Sequence, residues 1–89
     1  MWAEFRRDLC LDDWEGSDNP THEEKIATYL CIMDLRQDPR PATSVIVNHP
    51  HTPEARIADV AATALVCILY TIYDDEHAIE YLMIERITP

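Results

Sequence analysis

The clearest periodic pattern in the chain predicts a helix over residues 22–37. Thr21 and Glu24 stand at the two positions of a capping box, in which each side chain bonds the backbone N–H of the other residue. Asp38 precedes a proline, which pushes Asp38 out of the α region and ends the helix. Apolar residues recur at the spacing of one helical face, at Ile26, Tyr29, Leu30 and Met33. We expect this stripe to be the apolar face of the helix.

A second start signal is Thr52-Pro53-Glu54, which combines a cap residue, a proline at the first helical position and an acid facing the positive helix end. The residues that follow are apolar on nearly every side. One stripe comprises Ile57, Val60, Ala61, Ala64, Leu65, Ile68 and Ile72, and the opposite side comprises Ala62, Val66, Leu69 and Tyr73. Because a helix that is apolar all round is buried, we predict a helix over residues 53–73 at the centre of the fold.

The C-terminal segment also carries a helical pattern. Either Asp74 or Asp75 is placed to cap a last helix. Within that helix, Glu76 suits the positive N-terminal end and Arg86 suits the negative C-terminal end. Its apolar stripe would be Ile79, Leu82, Met83 and Ile87. We therefore predict a helix that ends near Pro89.

The N-terminal segment is less regular. Trp2, Phe5 and Leu9 fit one helical face. Asp12 and Asp13 would then lie at the negative end of the helix dipole, which opposes acidic side chains. Helix stability therefore does not explain the presence of these two acids.

Two features of the remaining chain bear on the fold class. The β-branched run over residues 44–47 either pairs as a strand or packs across the helices. The chain has a single glycine, Gly16, whereas tight hairpin turns usually need residues that accept a positive φ. We therefore predict one all-α domain over residues 1–89, a compact bundle of three to four helices around a buried central helix.

The charge balance restricts the partners of the chain. Seventeen acidic residues stand against seven basic ones, and residues 8–24 hold seven carboxylates and neither lysine nor arginine. A net charge of −10 repels nucleic acid and anionic membranes and attracts basic protein surfaces. The sequence leaves open whether the chain forms a homo-oligomer.

The cysteines and the hydropathy profile suggest a cytoplasmic setting. Cys10, Cys31 and Cys67 are odd in number, widely spaced and flanked by apolar residues, which fits reduced thiols better than a disulfide framework. The longest charge-free apolar stretch, residues 60–73, is too short to span a bilayer, and we find no leader pattern. We expect a protein that is neither exported nor membrane-bound.

Catalytic and metal-binding patterns are weak. A carboxylate beside a histidine, as at Glu76, His77 and Glu80, is a combination used in general acid–base catalysis. No nucleophile, phosphate-binding loop or basic group that would hold a substrate accompanies these residues. His49 and His51 lack the spacing of a metal site with either His77 or Cys67. We therefore expect no enzyme activity, no cofactor and no metal.

Part of the chain resembles the RelE/ParE toxin superfamily. The pattern covers residues 22–87: a helix, the segment Asp38-Pro39-Arg40-Pro41, a tyrosine-bearing segment over residues 68–73, an acidic turn, and a segment that ends near Arg86. The resemblance implies an α+β fold whose last two segments form an antiparallel hairpin turning at residues 74–77.

The resemblance also implies which residues would matter in a toxin. Only Arg56 and Arg86 match its functional arginines. RNA-cleaving members carry basic residues where this chain has Val66 and Cys67, and the C-terminal tail of the family is truncated. The alternative prediction is thus a toxin-superfamily domain of a toxin–antitoxin system with degenerate ribonuclease residues.

Our main functional prediction is a small acidic, non-enzymatic protein that inhibits or neutralises a basic, nucleic-acid-handling protein. Phage anti-defence inhibitors, nucleic-acid mimics and immunity proteins are of this type. Trp14, ringed by acids, would be an aromatic anchor for the partner, unless it is buried against the second helix instead. The predicted partner-binding residues are Asp8, Asp12, Asp13, Trp14, Glu15, Asp18, Asp74, Asp75, Glu76 and Glu80.

Overall fold

The computed structural model describes residues 1–60 and 65–87, which form two helices and a five-stranded mixed sheet. Helix and strand make up similar shares of the described residues, 34% and 35%, so the fold is α+β. The all-α bundle is therefore wrong, and the α+β alternative is confirmed at the level of fold class. In chain order the elements are β1 (Ala3–Phe5), α1 (Arg7–Asp18), α2 (His22–Gln37), β2 (Ser44–Ile46), β3 (Glu54–Asp59), β4 (Val66–Tyr73) and β5 (Ala78–Arg86).

The sheet has the order β1-β5-β4-β3-β2. Strands β2 to β5 pair antiparallel with their neighbours along the chain, whereas β1 lies parallel to β5 at one edge. A register shift between Leu69 and Tyr70 leaves Leu82 of β5 as an extra residue, because Leu69 pairs with Met83 and Tyr70 with Tyr81. In chain order, the two helices follow the edge strand β1 and precede an antiparallel meander of four strands.

Helix α2 begins and ends where the sequence predicts, but its orientation differs from the expectation. The capping box is present, with the Glu24 N–H donating to the Thr21 hydroxyl and the Thr21 N–H donating to the Glu24 carboxylate. The buried residues are instead Thr28, Ile32 and Leu35. The predicted stripe is exposed, at Ile26, Tyr29, Leu30 and Met33. Helical spacing located the helix, but a second apolar line on the same helix faces the core.

The predicted central helix over residues 53–73 is wrong. Strands β3 and β4 occupy its two ends, and the predicted positions Ala61, Ala62 and Ala64 lie outside the described residues. Apolar residues on both sides of a segment suit a central strand as well as a buried helix. Here the β-branched and aromatic side chains favour the strand, since they lose χ1 freedom in a helix and pack well on a pleated sheet.

The predicted last helix is also wrong, because residues 78–86 form β5. The hairpin that the RelE/ParE resemblance implies is confirmed, since β4 and β5 pair antiparallel around residues 74–77. Scarcity of glycine did not prevent this turn. His77 adopts a φ of 52° there, a left-handed conformation in which histidine is more common than most non-glycine residues, and Leu65 adopts a φ of 49° before β4.

The N-terminal segment divides into a strand and a helix. Helix α1 follows β1 after Arg6, which has a φ of 64° and provides no side-chain cap. The predicted face of Trp2, Phe5 and Leu9 therefore does not exist as one helical stripe. The buried residues of α1 are Cys10, Leu11 and Trp14.

The core lies between the two helices and one face of the sheet. Cross-strand partners share a face, and the paired residues on the core side are apolar and buried. They include Ile68 with Ile84, Tyr70 with Tyr81, and Ile72 with Ile79. The other face carries Val45 and Met83, which are exposed. Within residues 1–60 and 65–87, neither helix is long and apolar enough to cross a membrane.

The orientation of α2 can be tested with two leucines of the same helix. Leu35 is 1% exposed and Leu30 is 55% exposed. We expect Leu35→Ala to lower the free energy of unfolding by about 2–5 kcal/mol, because it leaves a cavity in the core. Leu30→Ala is the matched control and should cost less than about 1 kcal/mol. Equal losses for the two variants in urea denaturation would contradict the orientation of the helix.

Candidate functional site

The predicted acidic residues of α1 lie on two different sides of the helix. Asp8, Asp12 and Glu15 line a groove between α1 and α2. Asp13 and Asp18 line a separate depression against the last part of β5. The acids therefore do not form one continuous face along α1.

The second acidic cluster lies in the turn between β4 and β5. Because no helix starts there, the helix dipole does not account for Asp74, Asp75 and Glu76. Asp74 pairs with Arg40 at 2.9 Å, while Asp75 and Glu76 are exposed. Glu80, on β5, accepts a hydrogen bond from the Tyr73 hydroxyl at 3.1 Å.

Asp18, at the end of α1, and the acids of the β4–β5 turn lie at opposite ends of β5. Asp18 accepts a hydrogen bond from the backbone N–H of Arg86 at 2.8 Å, at the end of the strand. The turn acids precede Ala78, at its start. Nine residues of strand separate these ends by roughly 25–30 Å at 3.2–3.4 Å per residue.

Trp14 lies in the core and is only 2% exposed. It belongs to the same hydrophobic core as Leu11, Ile32 and Leu35. The prediction that Trp14 is a surface anchor for a partner is therefore not consistent with this structure. Its burial accounts for the tryptophan without a functional role, and the acids around it are simply the exposed side of the same helix.

A buried carboxylate that the sequence analysis missed connects β1 to both helices and to β5. Glu4 has a side chain that is only 7% exposed. Its Oε1 accepts from Nη1 of Arg7 at 2.9 Å and lies 3.0 Å from Nε of Arg36. Its Oε2 accepts from the Tyr81 hydroxyl at 2.9 Å. Burial, and then the neighbouring carboxylate, raise the pKa of Tyr81 well above its usual range.

A signal for this site exists in the sequence. In a strand, Trp2 and Glu4 point to the same side, so a period of two would have placed Glu4 on the inward face beside Trp2. Because the sequence analysis treated this segment as a helix, it did not predict that Trp2 and Glu4 share a face. The three side chains that contact the Glu4 carboxylate come from α1, α2 and β5, so the carboxylate connects these elements to β1.

The two arginines that match the toxin superfamily are both engaged in internal contacts. Nε and Nη2 of Arg86 each donate to the Glu24 carboxylate at 2.8 Å. Arg56 donates to Glu54 at 2.7 Å and to the Ser44 hydroxyl at 2.8 Å, and its side chain is mostly buried. Neither guanidinium is presented as an open anion-binding group.

Most of the positive charge of the protein is used in this way. Five of the six arginines form ion pairs: Arg7, Arg36, Arg40, Arg56 and Arg86. The acids in these pairs are Glu4, Asp8, Glu24, Glu54 and Asp74. Within the described ranges, the other twelve carboxylates form no ion pair with an arginine side chain, so the unbalanced negative charge is concentrated at the surface.

The remaining candidate groups show no reactive arrangement. Cys10, Cys31 and Cys67 are free, and burial raises the pKa of each thiol, to about 11 for Cys31. A raised pKa disfavours the nucleophilic thiolate. His77 stacks on Trp2 with ring centroids 4.0 Å apart. In the part of the chain that the structure describes, no three His, Cys, Asp or Glu side chains are close enough to hold a metal ion.

Comparisons of the chain with protein-family models, with curated proteins and with solved structures found no match.

The ion pair between Glu24 and Arg86 predicts a specific pH dependence. The Arg86 guanidinium, together with the Thr21 N–H, lowers the pKa of Glu24 from 4.5 to about 2. A lowered pKa contributes stability that is present above pH 4.5 and is lost as the pH falls through about 2. We expect Glu24→Gln to flatten the loss of stability over this range, measured by urea denaturation at several pH values. Glu23→Gln, in the same helical turn, should keep the wild-type slope. A wild-type slope in Glu24→Gln would contradict this assignment.

Proposed function

We propose that this chain is a RelE/ParE-like domain of a toxin–antitoxin system that has lost ribonuclease activity. The observation that supports the proposal is the order of elements over residues 22–87. Helix α2, a proline-containing link, the tyrosine-bearing strand β4, an acidic turn and β5 occur in the order that the resemblance implies, with β2 and β3 between the link and β4. The antiparallel pairing of β4 with β5 agrees with it as well.

The loss of ribonuclease activity is supported by the arginines and by the charge. Arg56 and Arg86 are held by Glu54 and Glu24 and would have to leave these carboxylates to reach a phosphate. Val66 is buried and Cys67 is half-buried where RNA-cleaving members carry basic residues. A net charge of −10 opposes RNA binding, which depends on neutralising phosphates with lysine and arginine.

This proposal predicts toxicity without RNA cleavage. Induced expression in a bacterial strain should arrest growth while cellular RNA stays intact, because a net charge of −10 opposes contact with RNA and favours a basic protein as the target. Leu35→Ala is the control for the folded state and should arrest growth less, since less of the protein is folded. Normal growth at a confirmed level of soluble protein would contradict the toxin class. RNA cleavage that Arg86→Ala abolishes would contradict the loss of ribonuclease activity.

A second candidate function is favoured by the distribution of charge. We propose for it a cytoplasmic, non-enzymatic inhibitor that binds a basic, nucleic-acid-handling protein. The internal ion pairs use five of the six arginines and leave a strongly acidic surface. Such a surface steers association with a basic partner and is able to occupy a site meant for phosphates.

The second candidate predicts that capture of partners depends on particular acids. We expect Asp12→Asn/Asp13→Asn/Glu15→Gln to lose the basic proteins that the wild type retains from a host lysate at low salt. Glu23→Gln/Asp34→Asn/Asp59→Asn removes the same number of charges from exposed positions outside both depressions of α1 and should retain them. Raised salt should weaken capture by the wild type, because it screens exposed charges. Identical capture by both variants would show that the acids of α1 are not the interface.

A further inference from the structure

A groove between α1 and α2 combines an apolar base with an acidic rim. It encloses about 580 Å³. Leu11 and Ile32 form its buried base, while Tyr29 and Met33 stand exposed beside them. Aromatic residues and methionine are enriched in protein–protein interfaces relative to the rest of the surface. The same groove contains the predicted acids Asp8, Asp12 and Glu15.

The acids of the groove follow one side of α1, and their charge is balanced by arginine at one end only. Asp8, Asp12 and Glu15 are four and three residues apart, so they follow one side of the helix over roughly 10 Å. Asp8 is paired with Arg7 at 3.1 Å, and Arg36 lies in the same part of the groove. Asp12 has no ion pair among the described residues, and Glu15 accepts only from the neutral Tyr29 hydroxyl. The unbalanced negative charge thus lies at the Asp12 and Glu15 end.

The walls of the groove restrict what conformation can bind there. Both walls are helices, whose backbone N–H and C=O groups are used within each helix. An extended peptide would find no strand edge to pair with, whereas a helix satisfies its own backbone groups. Amphipathic helices bind apolar grooves through anchors on one face.

We propose that the α1–α2 groove binds a basic amphipathic helix of a partner protein. The apolar face of that helix packs on Leu11, Tyr29 and Met33. Its lysine or arginine side chains, one or two turns apart, pair with Asp12 and Glu15. The inference rests on the second proposed function and locates its binding site on α1, away from the turn acids. It also gives a role to Glu15, which lies in the last turn of α1, where the helix dipole opposes an acid and no basic residue balances it.

The acidic rim is tested with a synthetic probe of leucine and lysine. The probe is an amphipathic peptide of about 15 residues, a length at which isolated helices begin to persist in water. We expect it to bind the wild type at low salt in fluorescence anisotropy. Asp12→Asn/Glu15→Gln should weaken binding by about tenfold, since each exposed charge pair contributes modestly. Asp34→Asn/Glu85→Gln is the matched control, with the same change in charge, and should alter binding less than about twofold.

The apolar base is tested with a second pair of variants. Met33 lines the groove and Leu30 does not, although their exposed fractions are nearly equal, at 57% and 55%. We expect Met33→Gln to weaken binding by at least about fivefold, because it removes apolar contact area, and Leu30→Gln to leave it unchanged. Both side chains are on the surface, so neither variant should unfold the protein.

Three outcomes would overturn the groove as the site. Equal weakening by the Asp12/Glu15 variant and its control would indicate general charge attraction, which leaves the second proposed function standing. Equal binding of a leucine–glutamate peptide would show that charge plays no part. Binding of neither peptide would contradict the groove, whereas the second proposed function is decided by the capture of basic proteins from the host lysate.

Discussion

Burial of strand β4 is the constraint on which the rest of the structure depends. Ile68, Tyr70 and Ile72 are fully buried on its core face, and β3 and β5 pair with its two edges. An apolar sheet face needs a second layer to cover it, and the two helices supply that layer. The Tyr70 hydroxyl also donates to the carbonyl of Pro39 at 2.6 Å, which connects the end of α2 to the sheet. The position of the groove between α1 and α2 follows from this packing.

The internal ion pairs determine the character of the surface. Arginines that connect separate elements, such as Arg36 to Glu4 and Arg86 to Glu24, are withdrawn from binding outside partners. The remaining carboxylates then give the surface nearly all of its charge. Both proposed functions depend on this distribution, because it argues against contact with RNA and favours contact with a basic protein. The arginines stabilise the fold and in doing so leave the surface acidic.

The parts of the fold that could be predicted are those with local causes. The capping box at Thr21 and Glu24 specifies where α2 begins, since both hydrogen bonds lie within four residues. Segments with apolar residues on both sides, such as residues 66–73, have no such local cause, and helix and strand satisfy their pattern equally well. Trp14 shows the same limit for the site, because neighbouring acids in sequence do not reveal that its indole points to the core.

The sequence by itself determined the charge excess, the bounds of α2 and the presence of an acidic segment between two apolar ones. Each of these follows from composition or from contacts between residues close in the chain. Only the tertiary structure decided that Leu35 rather than Leu30 is buried, and that Glu4 meets Arg7, Arg36 and Tyr81. It also decided that the acids of α1 divide between a groove and the surface beside β5. These relations depend on which elements pack together, because side chains far apart in sequence become neighbours only through the sheet order.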